Sequence, residues 1–202
     1  MMSSRWLQRF KRVDLIDLDP YASRLFRFNH GRALRESGTE LNFVQADGIA
    51  GLDALLEAHP QATLFFDNVL GQHLYRVRSI ERAEADLAGI AKRLSGRDWG
   101  SVHDLFSGPA NPLALPAACQ TAYDALRDAD GLVVEGLRGT PLHKRLLAQV
   151  GGQPDWMDHV TAELFPVGTR SRLIAWPFLP TYAHWLQAGW VSGKPLGKGT
   201  RG

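Results

Sequence analysis

Short apolar runs that stop on an acid recur through the first half of this chain. Val13, Leu15, Ile16 and Leu18 read as one buried strand, with Asp17 and Asp19 where it ends and Pro20 suited to the first turn of a helix. Asp19 is expected to cap that helix, which leaves Asp17 as the carboxylate presented at the strand end. Leu41 to Ala46 repeats the pattern before Asp47-Gly48, and Ala62 to Phe66 repeats it before Asp67-Asn68. A fourth strand, Gly100 to Phe106, carries His103 and Asp104. Between these runs the apolar positions shift to helical spacing. Residues 5–12 look like the last turns of a helix, and Tyr21 to Glu36 puts Leu25, Phe26 and Leu34 on one side with arginines elsewhere. Residues 51–58 and Ser79 to Leu94 are further helices. Strands alternating with helices predict right-handed crossovers and a mainly parallel sheet.

Beyond Ser107 the pattern loosens. Residues 107–116 are rich in Gly, Pro, Asn and Ala, a loop at the carboxyl edge of a strand. Helices are expected from Cys119 to Arg127 and from Leu142 to Val150, while Leu132 to Val134 fits either a strand or the packed end of a helical insertion. The apolar stretches 159–166 and 171–178, joined by Pro166 to Arg170, predict a closing antiparallel hairpin. One domain over residues 1–191 is expected, with an irregular insertion around 107–156 and a flexible basic tail over 192–202.

Composition narrows the function classes. With 202 residues, 45% hydrophobic and 22% charged, the chain has the balance of a globular domain that buries a real core. A net charge of +2 gives no reason to expect nucleic acid or an anionic membrane as partner. The sole cysteine, Cys119, forbids an internal disulfide and agrees with a reducing compartment. No apolar run is long enough to span a bilayer and the first residues lack a signal-peptide core, so a cytoplasmic protein is expected. His73, His143, His159 and His184 fall at no metal-ligand spacing, and no metal site is expected. Arg138 and Arg170 are surface arginines before they are anion ligands, and Trp176, Trp185 and Trp190 are expected to bury against the sheet or a partner.

Taken together, Leu15 to Pro20, Val44 to Gly48 and Phe65 to Gln72 resemble successive motifs of the class I S-adenosylmethionine-dependent methyltransferases. The resemblance covers residues 5–106 and, more loosely, the closing hairpin. It implies a Rossmann-like α/β fold: a mainly parallel sheet with helices on both faces and a C-terminal antiparallel hairpin. It also implies S-adenosyl-L-methionine as cofactor, with Asp17 on the ribose hydroxyls, Asp47 on the adenine amine and Gly48 approaching the ring. Asp67 and Asn68 would face the methionine part and the substrate.

The pattern departs from the family at its start. A glycine-rich loop should precede Asp17 by about 20 residues, yet none of residues 1–16 is glycine. The first strand and its loop are therefore expected either upstream of Met1 or lost. The loss of a central strand exposes the edges of its neighbours, so a homo-oligomer or a rearranged pairing is expected to fill the gap. Methyl transfer demands alignment and, for some acceptors, removal of a proton. His103, Asp104 and Gln72 are the candidates to bind the acceptor, against the plainer roles of capping and core hydrogen bonding. The acceptor and the catalytic base are not identifiable from the sequence. Two alternatives stand beside methyl transfer: a non-catalytic binding or scaffold relative that has lost the cofactor loop, and a nicotinamide dinucleotide enzyme that uses Asp17 in the same way.

Overall fold

All four strands expected in the first half form, and each ends within three residues of its expected limit, although the fourth runs on past Asp104 and leaves that acid mid-strand. The computed structural model describes residues 3–110, 117–151, 153 and 155–193, so part of the expected loop and most of the basic tail lie outside the described residues. The fold is α/β with mixed sheets, divided into two compact units, residues 1–61 and 62–202.

In the first unit, α1 (Ser4–Leu7) leads into β1 (Arg12–Asp17), α2 (Ala22–Glu36), β2 (Glu40–Gln45) and α3 (Leu52–Ala58). β1 and β2 are parallel, in register from Arg12 opposite Glu40 to Asp17 opposite Gln45. Parallel neighbours need a crossover, and α2 supplies it. Its inner face is Phe26, His30 and Leu34, one turn apart; Leu25, expected on that face, is 63% exposed. Position 25 lies about 100° round the helix from position 26, and the arginine-rich side takes it.

The second unit holds β3 (Leu64–Asp67), α4 (His73–Val77), α5 (Ile80–Arg93), β4 (Trp99–Pro109), α6 (Ala117–Asp128), β5 (Val133–Glu135), α7 (Pro141–Val150), β6 (Met157–Asp158), β7 (Arg170–Leu179) and β8 (Tyr182–Val191). Ser79 caps α5 by accepting the Arg82 amide, as its position before the helical run implies. The sheet runs β3-β4-β8-β7-β5, with β6 on β4. Only β3 and β4 are parallel; the remaining pairs are antiparallel, so the expectation of a mainly parallel sheet does not describe this unit.

The closing hairpin exists, but one segment later than expected. β7 and β8 pair through a tight turn at 180–181, whereas 159–166 forms no strand. Asp158 accepts the Val160 amide and Val160 has φ 55°, a conformation no strand tolerates. The apolar residues of that stretch, Leu164 and Phe165, are buried from a loop. Phe165 stacks on Trp99 with ring centroids 5.5 Å apart. Of the three late tryptophans, Trp185 is buried while Trp176 and Trp190 are each 42% exposed.

Register assigns the two faces of this sheet. Phe106, Trp185, Ala183 and Leu173 belong to the apolar cluster completed by Trp156, Leu126 of α6 and Leu146 of α7. Gly108 lies under the Trp156 indole, where a Cβ would overlap the ring. Gly108→Ala is therefore expected to lower stability by about 1–3 kcal/mol through overpacking. Denaturant unfolding checks this, and an unchanged midpoint would mean that Trp156 moves aside freely.

Candidate functional site

A β-bulge sets up the polar face of the second unit. Along β4, Asp104 pairs with Leu186 and Ser107 with His184, although Asp104 and Ser107 lie three positions apart on β4 and Leu186 and His184 two apart on β8. The extra residue, Leu105, turns the strand so that Asp104 and Ser107 share one face, where regular alternation would put them on opposite faces. His184 and Tyr182 of β8 and Trp176 of β7 share that face by register.

Asp104 is 1% exposed and fully engaged. Its Oδ1 accepts from His184 Nδ1 at 2.9 Å and its Oδ2 from Asn68 Nδ2 at 3.0 Å, while its own amide donates to Asn68 Oδ1 at 3.1 Å. Thr161 Oγ1 donates to its carbonyl. Burial pushes this carboxyl up, but the hydrogen bonds from His184 and Asn68 and the neighbouring imidazoles outweigh burial and hold it below its ordinary value. Asp104 is thus a buried carboxylate. It can only accept, so His184 carries its proton on Nδ1 and, when neutral, a lone pair on Nε2.

A second chain of hydrogen bonds runs beside it. His159 Nδ1 donates to the Gly71 carbonyl at 2.7 Å, so its Nε2 accepts from Ser107 Oγ at 2.9 Å. Burial lowers the His159 pKa and keeps the ring neutral, as this pattern requires. Ser107 Oγ also meets the Tyr182 hydroxyl at 3.1 Å. Tyr75 lies with its ring edge toward His159, and burial raises its phenol pKa against a hydrogen bond to Ser107 that lowers it. A serine beside a histidine suggests nucleophilic chemistry, yet Ser107 is 0% exposed and no substrate carbonyl could reach it.

The residues singled out in the sequence distribute as follows. Asn68, at φ 58°, clasps Asp104 with both ends of its amide and has little left for a ligand. Asp67 and Gln72 are exposed. His103 points to the opposite face from Asp104, fully buried against Phe165 with its Nδ1 on Ser101 Oγ at 3.0 Å. Asp17 Oδ1 accepts the Asp19 amide and Asp19 Oδ1 the Tyr21 amide, both at 2.8 Å, so the two acids form consecutive turns ahead of α2. Asp17 and Asp19 line an open groove of about 140 Å³ with Leu15, Pro20, Phe43 and Gln45, all of the first unit. Asp47 Oδ1 accepts the Ile49 and Ala50 amides, and a Cβ at Gly48 would make only ordinary contact with Ile16. Arg138 and Arg170 are engaged with Glu163 and Glu135.

Sequence reasoning missed His184, His159, Ser107 and Tyr182. The bulge that brings Ser107 onto the face of Asp104 leaves no mark in composition, and His184 belongs to a strand that the apolar pattern does not predict. Among the described residues, no cluster of three or more His, Cys, Asp or Glu could hold a metal ion. The chain matches no family model, no curated protein and no solved structure.

Burial brings the His103 pKa down to about 4 from 6.5, chiefly by desolvation. The unfolded chain therefore takes up a proton that the folded chain refuses between those two values, and stability falls as pH is lowered through that window. The full difference corresponds to about 3 kcal/mol. Unfolding of His103→Leu at pH 7 and pH 4.5 is expected to show a loss smaller than wild type by about 2 kcal/mol. An equal loss in both proteins would mean that His103 is not held neutral by the fold.

Proposed function

We propose that this chain is a methyltransferase-type domain that uses S-adenosyl-L-methionine, with the acids at the ends of β1 and β2 receiving the adenosine part. The single observation that carries the reading is the parallel β1–β2 pair with Asp17 at one strand end and Asp47 just beyond the other, Asp17 opening onto a groove. Ligands of open α/β sheets bind at the carboxyl ends of parallel strands, where an acid can accept hydrogen bonds from a ribose diol. The parallel β3–β4 pair, flanked by antiparallel β8 and then β7, agrees with the closing half of a Rossmann-like sheet. A cytoplasmic setting goes with the single cysteine; among the described residues no helix is long and apolar enough to cross a membrane.

The residues that would hold the cofactor are Asp17, Asp47 and Gly48 of the first unit, while the Asn68 amide is taken up by Asp104. When bound, the cofactor supplies an electrophilic methyl group. Asp17 keeps one oxygen on the Asp19 amide, which fixes the carboxylate at the strand end and leaves the other for a ligand. A second reading, a binding relative without catalysis, is favoured by Asp47, whose Oδ1 is already taken by the Ile49 and Ala50 amides of its own turn.

Calorimetric titration with S-adenosylhomocysteine separates them. Saturable binding is expected, weakened roughly tenfold or more in Asp17→Ala, the loss of a hydrogen bond to a charged group. Absence of binding to the wild-type chain would remove the first reading and leave the second.

A further inference from the structure

We propose that His184, oriented by Asp104 and edged by Trp176 and Phe178, is a general base for a planar aromatic ligand with an acidic hydroxyl. As the identity of a methyl acceptor, this rests on the function proposed above; as a binding and proton-accepting site, it stands on its own geometry.

The orienting half of the pair is buried and ionised. Asp104 has no exposure to spare and its second oxygen is tied to Asn68, so its first oxygen holds His184 Nδ1 in one tautomer and one ring orientation. Among the described residues His184 Nε2 has no hydrogen-bond partner, and the side chain is 18% exposed. A carboxylate behind an imidazole whose far nitrogen is free is the arrangement that accepts a proton and stabilises the resulting imidazolium.

The rim names the ligand. Trp176 and Phe178 each place a ring centroid 5.4 Å from that of His184, and Tyr182 one at 5.5 Å. Trp176 is 42% and Phe178 53% exposed, large apolar rings left uncovered beside a polar group. Rings at this spacing offer faces and edges on which another flat ring can stack. A ligand seated there would bring its hydroxyl to Nε2. The step is a proton transfer alone: the ligand O–H bond breaks, an Nε2–H bond forms, and the oxygen keeps the electron pair as a phenolate. Asp104 stays ionised throughout and faces the new positive charge.

The test uses 4-nitrophenol without any methyl donor, because its phenolate absorbs visible light and its neutral form does not. Saturable quenching of tryptophan fluorescence is expected, together with a phenolate band at a pH where the free probe is mostly protonated. His184→Gln is expected to bind within about threefold of wild type and to lose the extra phenolate band. Trp176→Ala and Phe178→Ala, at positions 42% and 53% exposed, are expected to stay folded by circular dichroism and to weaken binding roughly tenfold, the loss of a stacked ring. No saturable binding, or an undiminished phenolate band in His184→Gln, would overturn the proposal. Ionisation of the probe without binding of S-adenosylhomocysteine would support the base and remove the methyl-transfer reading; cofactor binding without ionisation would do the reverse.

Discussion

The polar face of the second unit depends on a carboxylate kept ionised out of water. An isolated buried carboxylate would take up a proton instead, since desolvation disfavours the charged form strongly. Asp104 escapes this by receiving donors on both oxygens, His184 on one and Asn68 on the other. Each donor needs its own support. Asn68 must adopt a left-handed backbone, which asparagine tolerates better than most residues. Gly71 must lack a side chain, because a Cβ would come within 2.5 Å of the Asp104 amide nitrogen. Leu105 must bulge so that Asp104 shares a face with Ser107 and His184. A left-handed residue, a bulge and a glycine at a close approach thus serve a single charge.

The two units present different chemistry. In the first, Asp17, Asp19 and Asp47 are engaged with backbone amides in turns after the strands, so the turns place carboxylates at strand ends with the fold's own hydrogen bonds. That suits the recognition of hydroxyls and amines. In the second, the carboxylate is hidden and acts through an imidazole, which suits the movement of a proton. The opposite face of the same sheet carries Ser101, His103, Gln187 and Ser171 as a buried polar stripe, where His103 is held neutral and has no route to a ligand. Neighbouring positions on β4, 103 and 104, therefore do opposite jobs because strand residues alternate in direction.

Hydrophobic periodicity carried the first half of the fold. Runs such as Leu41 to Ala46 have the length and bounding residues of strands, and Ser79 before Ile80 marks a helix start by capping chemistry that is local in sequence. The second half was less legible, because its determinants are not local. Residues 159–166 look like a strand, since Leu164 and Phe165 are apolar, but they fill the core from a loop whose path is fixed by Val160 and the Asp158 side chain. The strand that was not foreseen, β8, contributes His184. Asp104 was legible as an acid near a strand end; its partner, 80 residues away along the chain, was not. The motif around Asn68 implies a ligand group, whereas its amide closes the fold around Asp104.

Burial and hydrogen bonding pull Asp104 in opposite directions, so one titration decides whether the bonds prevail. The carboxyl carbon of Asp104, followed by carbon-detected NMR from neutral pH downward, is expected to stay ionised until below its ordinary value of 3.8, while the protein remains folded. A midpoint above that value would mean that burial dominates, that the carboxyl is a neutral partner at mildly acid pH, and that neither the clasp of Asn68 nor the orientation of His184 rests on a charge.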